Sequence, residues 1–401
     1  MKPYIKRKKY LKEIETVIND DLIKVIIGQR RVGKTYLIWQ IIDLIKSIDK
    51  KANCIYINKE LIEYDEIRNH KDLLVFVQKN TRKTKNNYLL IDEIQEIANF
   101  EKALRSLRAK GGYDIYCTGS NAELISAEIA TLFAGRYYQI EVFSLSYKEF
   151  LQFHNLAVGE SSLEKFFRFG GLPYLRNLKL EDEVVFPHLE AIYHTILFKD
   201  IAERYKIRNF NFLEKLIVYL AQQTGSLISA NRIGNFLKSN KFSVSLTVVL
   251  EYLEYLKRAF FIQKVNRFDI IGKKGFEINE KYYFSDLGLR HTIIGYRQSD
   301  MDRILENVIY LQLRYMGYKV EVGVLGRKEV DFVATRNNEK IYVQVAYQIH
   351  RDNMDREFGN LLEIKDNYQK IVVSANKFAS RQNTYQGIEH WYVEDFLLKF
   401  K

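Results

Sequence analysis

Cysteine and proline are scarce in this sequence. Two cysteines and three prolines occur among 401 residues, which excludes a disulfide-stapled fold and leaves too few thiols for a structural zinc site. Both cysteines, Cys54 in NCIYIN and Cys117 in IYCTGS, lie in apolar runs. We therefore expect them to be reduced residues of the core.

Long apolar runs are also missing. No run approaches the roughly 18 to 20 residues that a membrane-spanning helix needs. The N-terminus, MKPYIKRKKYLKEIE, is charged where a signal peptide would be apolar. The sequence therefore predicts a cytoplasmic location and no membrane partner.

The composition is that of a folded protein with a moderate basic excess. Hydrophobic residues make up 47% of the chain, and the length predicts about two or three domains. The formal net charge of +12 permits an anionic partner such as DNA but does not require one. The basic residues are dispersed, apart from the run KRKK at 6–9 and the pair Arg30/Arg31.

Residues 23–142 alternate short apolar runs with longer amphipathic stretches. The runs predicted as strands are 22–27, 53–57, 88–92, 114–119 and 136–142. Two stretches between them, TYLIWQIIDLIKSI and FEKALRSLRAK, have helical spacing. This alternation predicts an α/β domain at 1–146, built on a parallel sheet covered on both faces.

The sequence GQRRVGKT, at residues 28–35, lies between the first predicted strand and the first predicted helix. It fits G-x-x-x-x-G-K-[ST], the phosphate-binding P-loop. The glycines let successive N–H groups face the phosphates, Lys34 would place a cation on the β/γ oxygens, and Thr35 would hold Mg²⁺. The strand–loop–helix context predicts ATP and Mg²⁺ as ligands.

The predicted nucleotide-binding residues are those of the loop and of the start of the helix. They are Gly28, Gln29, Arg30, Arg31, Val32, Gly33, Lys34, Thr35 and Tyr36. The two arginines occupy variable positions of the motif, and we interpret them as loop residues that point to solvent or to a partner. No guanine-reading N-K-x-D pattern is present, which favours ATP over GTP.

An acidic pair follows another apolar strand. The run YLLIDEIQ places Asp92 and Glu93 at the carboxyl end of that strand. Asp92 suits a Walker-B carboxylate that holds Mg²⁺, and Glu93 would activate the attacking water as general base. Together with the P-loop, the pair predicts a complete Mg–ATP site.

Two further sequences supply candidate catalytic residues. In ATPases of this type, the strand ending in YCTGSN carries a sensor of the γ-phosphate, and Ser120 or Asn121 would fill that role, with Thr118 as a lesser candidate. Arg136, in LFAGRYYQIEV, would act on transition-state charge in cis or from a neighbouring subunit. A surface arginine is the open alternative.

The remaining chain predicts three segments. Residues 147–205 are helix-rich, contain FGGLP with Pro173, and form a helical lid. Residues 206–295 predict three helices followed by a two-stranded hairpin, the order of a winged helix. Residues 296–401 predict a small α/β domain with a helix at 302–316 and strands near 318–324, 329–335, 340–346 and 370–374.

Over nearly its whole length the chain resembles the archaeal and bacterial AAA-type ATPases of the STAND/ORC-like branch. The resemblance rests on GQRRVGKT, YLLIDEIQ, TGSN, FAGR, LSYKEF, FGGLP and EVDFVATRNNEKIYVQVAY. It implies a sheet with strand order 5-1-4-3-2 and a C-terminal domain like the PD-(D/E)XK nucleases. It also implies that Pro173 belongs to a lid motif contacting bound nucleotide.

The nuclease-like segment departs from the pattern that its chemistry needs. Asp331 and Gln344 lie at the metal-binding positions, Glu306 would be the additional carboxylate, and Ala346 replaces the lysine. A site without the cation and with one carboxylate fewer should cleave poorly. We therefore expect a nuclease-like fold that has lost its activity, with a rearranged site using Lys340 or Glu329 as the alternative.

The predicted recognition helix, SVSLTVVLEYLEYLKRA, does not resemble a DNA-reading helix. Ser243, Ser245, Glu251 and Glu254 are among its polar positions, and its basic residues come only at the end. DNA would instead contact basic patches at 6–9, 273–274 and 327–328. Another protein or a second copy of the chain are the other partners left open.

The sequence thus predicts a Mg²⁺-dependent ATPase whose nucleotide state controls the winged helix and the inactive nuclease-like domain. A nucleotide-gated switch of the STAND type, with little turnover, is one alternative. An ATP-dependent DNA-binding protein or nuclease is another.

Overall fold

The computed structural model describes residues 4–83, 86–125, 133, 135–239, 244–377 and 384–400. The chain forms two compact units. The first comprises Met1–Val142 with Arg258–Phe260, and the second comprises Phe143–Lys257 with Phe261–Lys401. Among the described residues, no helix combines the length and the apolar character needed to cross a bilayer.

The first unit is built on a five-stranded parallel sheet. Its strands are β1 (Ile23–Ile27), β2 (Asn53–Asn58), β3 (Asn87–Asp92), β4 (Tyr113–Gly119) and β5 (Tyr137–Glu141), in the spatial order β2-β3-β4-β1-β5. Read from the other edge, this is 5-1-4-3-2, so the strand order implied by the resemblance is confirmed. Both cysteines lie in these strands as free thiols.

Four helices of the first unit are described. They are α1 (Lys8–Glu15), α2 (Lys34–Ile48), α3 (His70–Asn80) and α4 (Phe100–Lys110). Every residue of β1 is buried, as expected for a central strand covered on both faces. The α3 helix begins with a capping box. The Asn69 side chain accepts a hydrogen bond from the backbone N–H of Asp72, and the Asp72 carboxylate accepts one from the backbone N–H of Asn69.

The second unit begins with a helical segment. It contains α5 (Tyr147–His154), α6 (Glu160–Phe169) and α7 (Asp182–Thr195), which continues as a π-helix over Ile196–Glu203. The helices α8 (Phe210–Gln222), α9 (Ala230–Ser239) and α10 (Leu246–Arg258) follow, then the antiparallel pair β6 (Ile262–Asp269) and β7 (Lys274–Phe284). Ser243, where we expected α10 to begin, lies outside the described residues.

The chain then continues into the elements of the C-terminal segment. They are α11 (Leu287–Ile294), α12 (Met301–Tyr315), β8 (Lys319–Leu325), β9 (Lys328–Arg336), β10 (Glu339–Ala346), α13 (Met354–Leu362), β11 (Gln369–Ser374), β12 (Thr384–Tyr385), β13 (Ile388–Tyr392) and α14 (Val393–Lys399).

One eight-stranded sheet joins the hairpin to the C-terminal strands. The order is β12-β13-β11-β10-β9-β8-β6-β7, and β6 pairs with β8 in parallel. A large apolar core lies against this sheet and includes residues of α5, α6, α12 and α14. The predicted boundary at 295/296 therefore falls between segments that share one sheet.

Candidate functional site

The loop after β1 has the backbone that the P-loop motif predicts. Gly28 and Gly33 have φ of 150° and 95°, and α2 starts directly after Gly33. A Cβ atom at residue 28 would lie 2.2 Å from the carbonyl oxygen of Val142. Only glycine fits at that position, because β5 and the chain following it close over the loop.

We expect Gly28→Ala to lower the affinity for ADP at least about 10-fold and to destabilise the first unit by more than about 2 kcal/mol, because the added methyl group clashes with backbone. Calorimetric titration with ADP and urea unfolding measure the two effects. Gly111→Ala is the matched control, since residue 111 also has positive φ, 71°, but has open space around it. Backbone strain alone should cost that control about 1–3 kcal/mol of stability, and its affinity for ADP should be retained; an equal loss of ADP affinity in both variants would contradict the steric argument.

Lys34 is buried inside the curl of the loop. Its Nζ donates to the carbonyl oxygens of Gly28 and Gln29 at 3.0 and 3.1 Å. The same Nζ lies 3.9 Å from Oε1 of Glu93. The structure therefore brings the P-loop cation and the predicted general base together.

Asp92 ends β3 and is fully buried. Its Oδ1 accepts from the Thr118 hydroxyl, and the nearby Thr35 hydroxyl helps to stabilise the charged carboxylate. Among the described residues, Oδ2 has no hydrogen-bond partner although it is buried. Burial raises the pKa of Asp92, while the two threonine hydroxyls and Lys34 oppose the rise.

These residues fit a bound Mg²⁺ ion. The ion binds oxygen ligands and commonly takes one carboxylate and one hydroxyl from a P-loop protein. Asp92 offers a buried oxygen without a partner, and the Thr35 hydroxyl lies at the same carboxylate. The two predicted metal ligands are thus adjacent.

Glu93 has an uncommon backbone and a strongly bonded side chain. Its φ is 54°, in the left-handed region, and its N–H donates to Oγ1 of Thr118 at 3.0 Å. The carboxylate accepts from Ser120 Oγ at 3.0 Å and from the Gln95 amide. Burial would raise the pKa of Glu93, but Lys34, Gln95 and nearby groups outweigh it, so the pKa is lowered and the carboxylate is ionised at neutral pH.

At the polar end of β4, a residue that bonds to both members of the acidic pair is not one that we ranked first. Thr118, the lesser candidate, bonds both to the Asp92 carboxylate and to the backbone of Glu93. Ser120 contacts Glu93, and Asn121 is buried beside it in the chain. Thr118 therefore connects the predicted metal ligand, Asp92, to the predicted general base, Glu93, through these two hydrogen bonds.

Sequence reasoning missed the contribution of Gln95 and misplaced one arginine. Gln95 follows the acidic pair by two residues in DEIQ and donates its amide to Glu93. Arg30 does not point to solvent: it is 8% exposed and pairs with Glu60 at 3.6 Å. Arg31 is exposed, as expected.

Arg136 lies at the other end of the sheet from the P-loop. Its carbonyl oxygen accepts from the N–H of Ile23, the first residue of β1, whereas Gly28 follows the last. The cis role for Arg136 is therefore wrong, because a whole strand length separates it from the loop. Action from a neighbouring subunit stays a prediction.

Pro173 lies in the second unit, at the start of a 3₁₀ helix. The preceding GG pair is held by contacts within that unit. The N–H of Gly171 donates to Oδ2 of Asp286 at 2.9 Å, and its carbonyl accepts from Leu145 N–H at 2.7 Å. Any contact of Pro173 with nucleotide stays a prediction.

The predicted nuclease-like positions come together around a residue that we had not singled out. Lys281, on β7, lies 2.8 Å from Glu306 Oε1, 2.7 Å from Glu329 Oε1 and 3.6 Å from Asp331 Oδ1. Gln344 accepts from the Asp331 N–H at 3.4 Å. A buried ammonium therefore lies among the three carboxylates.

The charges of this cluster depend on one another. Burial would lower the pKa of Lys281, but Glu306, Asp331 and Glu329 outweigh it, so that pKa is raised. Burial and the Glu306 charge raise the pKa of Asp331. In the described part of the chain, no three or more His, Cys, Asp or Glu side chains are grouped so that they could hold a metal ion.

Lys340, the alternative cation, is elsewhere. Its Nζ lies over the ring of Tyr368, 4.7 Å from the centroid. A rearranged site using Lys340 is therefore wrong, whereas Glu329 does join the cluster.

One predicted DNA-contacting patch is partly internal. Arg7, in KRKK, is 4% exposed, and its guanidinium donates to the carbonyl of Val32 in the P-loop at 3.2 Å. Lys328, in another patch, is paired with Glu363. These two residues are therefore poor candidates for contacts with the DNA backbone.

The parallel sheet, the P-loop and the acidic pair define a P-loop nucleotide-binding protein of the AAA type. Residues 20–151 match the family model of an AAA domain. Residues 160–300 match that of a domain of unknown function, DUF8612.

Two relatives align with almost the whole chain. An uncharacterized protein of Haemophilus influenzae is 35% identical over 404 residues, which is 99% of this chain and 100% of the relative. The uncharacterized protein MJ1544 of Methanocaldococcus jannaschii is 32% identical over 407 residues, covering 94% of this chain and 88% of the relative. The chain therefore belongs to one family with these two proteins, with an AAA-type ATPase domain at its N-terminus.

Among solved structures, the Walker-type ATPase PABY2304 of Pyrococcus abyssi is similar at 16% identity. The alignment covers 73% of this chain and 96% of that one, with a TM-score of 0.49. This TM-score is too low to establish a common fold over the aligned length.

Proposed function

We propose that the protein binds ATP with Mg²⁺ and hydrolyses it in the first unit. The observation that carries the proposal is Asp92, whose buried Oδ2 has no partner among the described residues and whose carboxylate meets the Thr35 hydroxyl. Lys34 and ionised Glu93 lie at the same edge of the sheet. The residues that we propose as phosphate-binding cation, metal ligands and base thus lie close together in one unit.

Each residue has a distinct task in this proposal. Lys34 and the loop N–H groups bind the phosphates, and Thr35 and Asp92 hold Mg²⁺, which neutralises phosphate charge when bound. Glu93 accepts the proton of the attacking water. Thr118 holds the Asp92 carboxylate and the backbone of Glu93 in place through its two hydrogen bonds.

Replacing the metal ligand tests the proposal. We expect Asp92→Asn to lower ATP turnover by about 100-fold, because the variant loses the charged ligand of the ion. Turnover is measured as phosphate release with and without Mg²⁺. Asp65→Asn, an exposed aspartate of the same unit, should keep wild-type turnover and its Mg²⁺ dependence. Equal turnover in wild type and Asp92→Asn would contradict the metal assignment.

A slow nucleotide-gated switch is the second candidate, favoured by the bonding of Glu93. Both Ser120 and Gln95 donate to its carboxylate, and these bonds compete with an approaching water. We propose on this ground that turnover is slow and that the nucleotide state of the first unit controls the second. ADP retained through purification would support a switch, and fast multiple turnover would count against it.

The second unit would receive that signal through the predicted lid and winged helix. Their element order, α8–α10 followed by the β6–β7 hairpin, supports the winged-helix interpretation. The Lys281 cluster supports an inactive nuclease-like domain, because the ammonium lies among the carboxylates that a metal would need. We propose a protein, DNA or a second copy of the chain as partner, in the cytoplasm.

A further inference from the structure

The two adjacent arginines of the P-loop have opposite environments. Arg30 is 8% exposed, whereas Arg31 is exposed to solvent. The backbone explains the difference, because Arg31 has φ of 72° and this left-handed residue turns the chain between them. The loop therefore places one guanidinium inside the site and the other outside.

Arg30 holds a buried positive charge within the phosphate-binding loop. Removing its charge from water costs several kcal/mol unless charged partners compensate. One such partner is Glu60, whose Oε1 lies 3.6 Å from the Arg30 Nη1, beyond an ordinary hydrogen bond. Glu60 is itself about half exposed, at 48%, so this ion pair is only partly shielded from water.

The ion-pair partner of Arg30, Glu60, lies near the predicted nucleotide site. Glu60 is in the loop after β2, and the last residue of β2, Asn58, pairs in register with Asp92. Glu93 directly follows Asp92 at that edge of the sheet, and its Oε1 lies 3.9 Å from the Nζ of Lys34 in the same loop as Arg30. Arg30 is therefore a second buried cation of this loop, at the sheet edge that carries the predicted general base.

We propose that Arg30 is a catalytic arginine supplied in cis, whose guanidinium binds the γ-phosphoryl oxygens of ATP during hydrolysis. This inference rests on the proposed ATPase function. It replaces the cis role that Arg136 cannot fill. The planar guanidinium matches two phosphate oxygens at once, which an ammonium does not.

The hydrolysis step that Arg30 would assist needs only ATP and water as reactants. The water oxygen forms a bond to the γ-phosphorus while the bond from that phosphorus to the bridging β–γ oxygen breaks. The water proton passes to the Glu93 carboxylate, and ADP and inorganic phosphate leave. Charge that builds on the equatorial and bridging oxygens is offset by Lys34 and Arg30.

The test compares Arg30→Gln with Arg31→Gln in the full-length protein. Turnover is measured with ATP and affinity with ADP, which lacks the γ-phosphate. We expect Arg30→Gln to lower turnover by at least about 100-fold, with ADP affinity changed by less than about 3-fold. The loss in Arg31→Gln should be at least about ten times smaller, since that variant alters the same loop without removing the buried charge.

Arg30→Lys keeps the proposal falsifiable if the glutamine variant does not fold. Lysine retains the charge but not the planar fork, so turnover should fall about 10-fold with ADP affinity retained. Wild-type turnover in Arg30→Gln, equal losses in the two glutamine variants, or a loss matched by weaker ADP binding would each overturn the inference. Failure of the ATPase proposal is distinguished by the wild type itself, which would then release no phosphate from ATP.

Discussion

Glu93→Gln should lower ATP turnover by about 10²- to 10⁴-fold while leaving the affinity for ATP nearly unchanged. The amide cannot take a proton from water, yet it has the size of the carboxylate and can still accept from Ser120. Because interactions around Glu93 already keep its pKa below the usual value, the wild-type base is ionised throughout the neutral range. Single-turnover phosphate release and ATP titration measure the two effects separately.

Glu96→Gln is the matched control for this experiment. Glu96 is in the same short 3₁₀ segment but is exposed, so its variant should hydrolyse ATP at the wild-type rate. Unchanged turnover in Glu93→Gln would reject Glu93 as the base. A Glu93→Gln protein that traps ATP would also be the best bait for the partner, since it holds a single nucleotide state.

Lys281→Met should destabilise the second unit by about 3–5 kcal/mol. Methionine fills a similar volume but leaves Glu306, Glu329 and Asp331 facing one another without the ammonium between them. Part of the loss should be recovered as the pH falls from about 8 to about 5, because protonation of Asp331, whose folded-state pKa is raised, removes its repulsion with the neighbouring carboxylates. Urea unfolding at several pH values measures this dependence.

The chain offers a selective readout and a control for that measurement. It has two tryptophans: Trp39 lies in α2 of the first unit, and Trp391 is buried in the second. In a Trp39→Phe background, fluorescence therefore reports the second unit alone. Lys264→Met removes a half-buried pairing with Glu280 on the same hairpin and should cost at most about 1 kcal/mol. Equal losses in the two lysine variants would contradict a special role for Lys281.

The apolar runs and short motifs of the sequence predicted the strands and the candidate site of the first unit well. Each strand of the first sheet lies within about one residue of its apolar run, because a buried parallel strand is apolar throughout. The P-loop and the acidic pair were also found, since each motif needs fixed residue types at fixed spacing. The strand order came from the resemblance, because nothing in a single strand specifies its neighbours.

The elements that were missed lack such local signals. The α11 helix, Leu287–Ile294, is buried on most of its surface and so has no polar face to reveal its period. Lys281 stands in a strand rich in tyrosine and is distant in sequence from its three carboxylates. Arg30 and Arg31 are indistinguishable as sequence, and only the left-handed backbone at Arg31 separates them.

The parallel pairing of β6 with β8 has a mechanical consequence. Interstrand hydrogen bonds join the hairpin directly to the C-terminal strands, in addition to the chain that runs through α11 and α12. A displacement of the helices that precede β6 would thus move β6 together with the C-terminal strands of the same sheet. The same pairing limits where the chain can be truncated. Separating the hairpin from the C-terminal strands would leave β8 as an unpaired edge strand that is prone to aggregation.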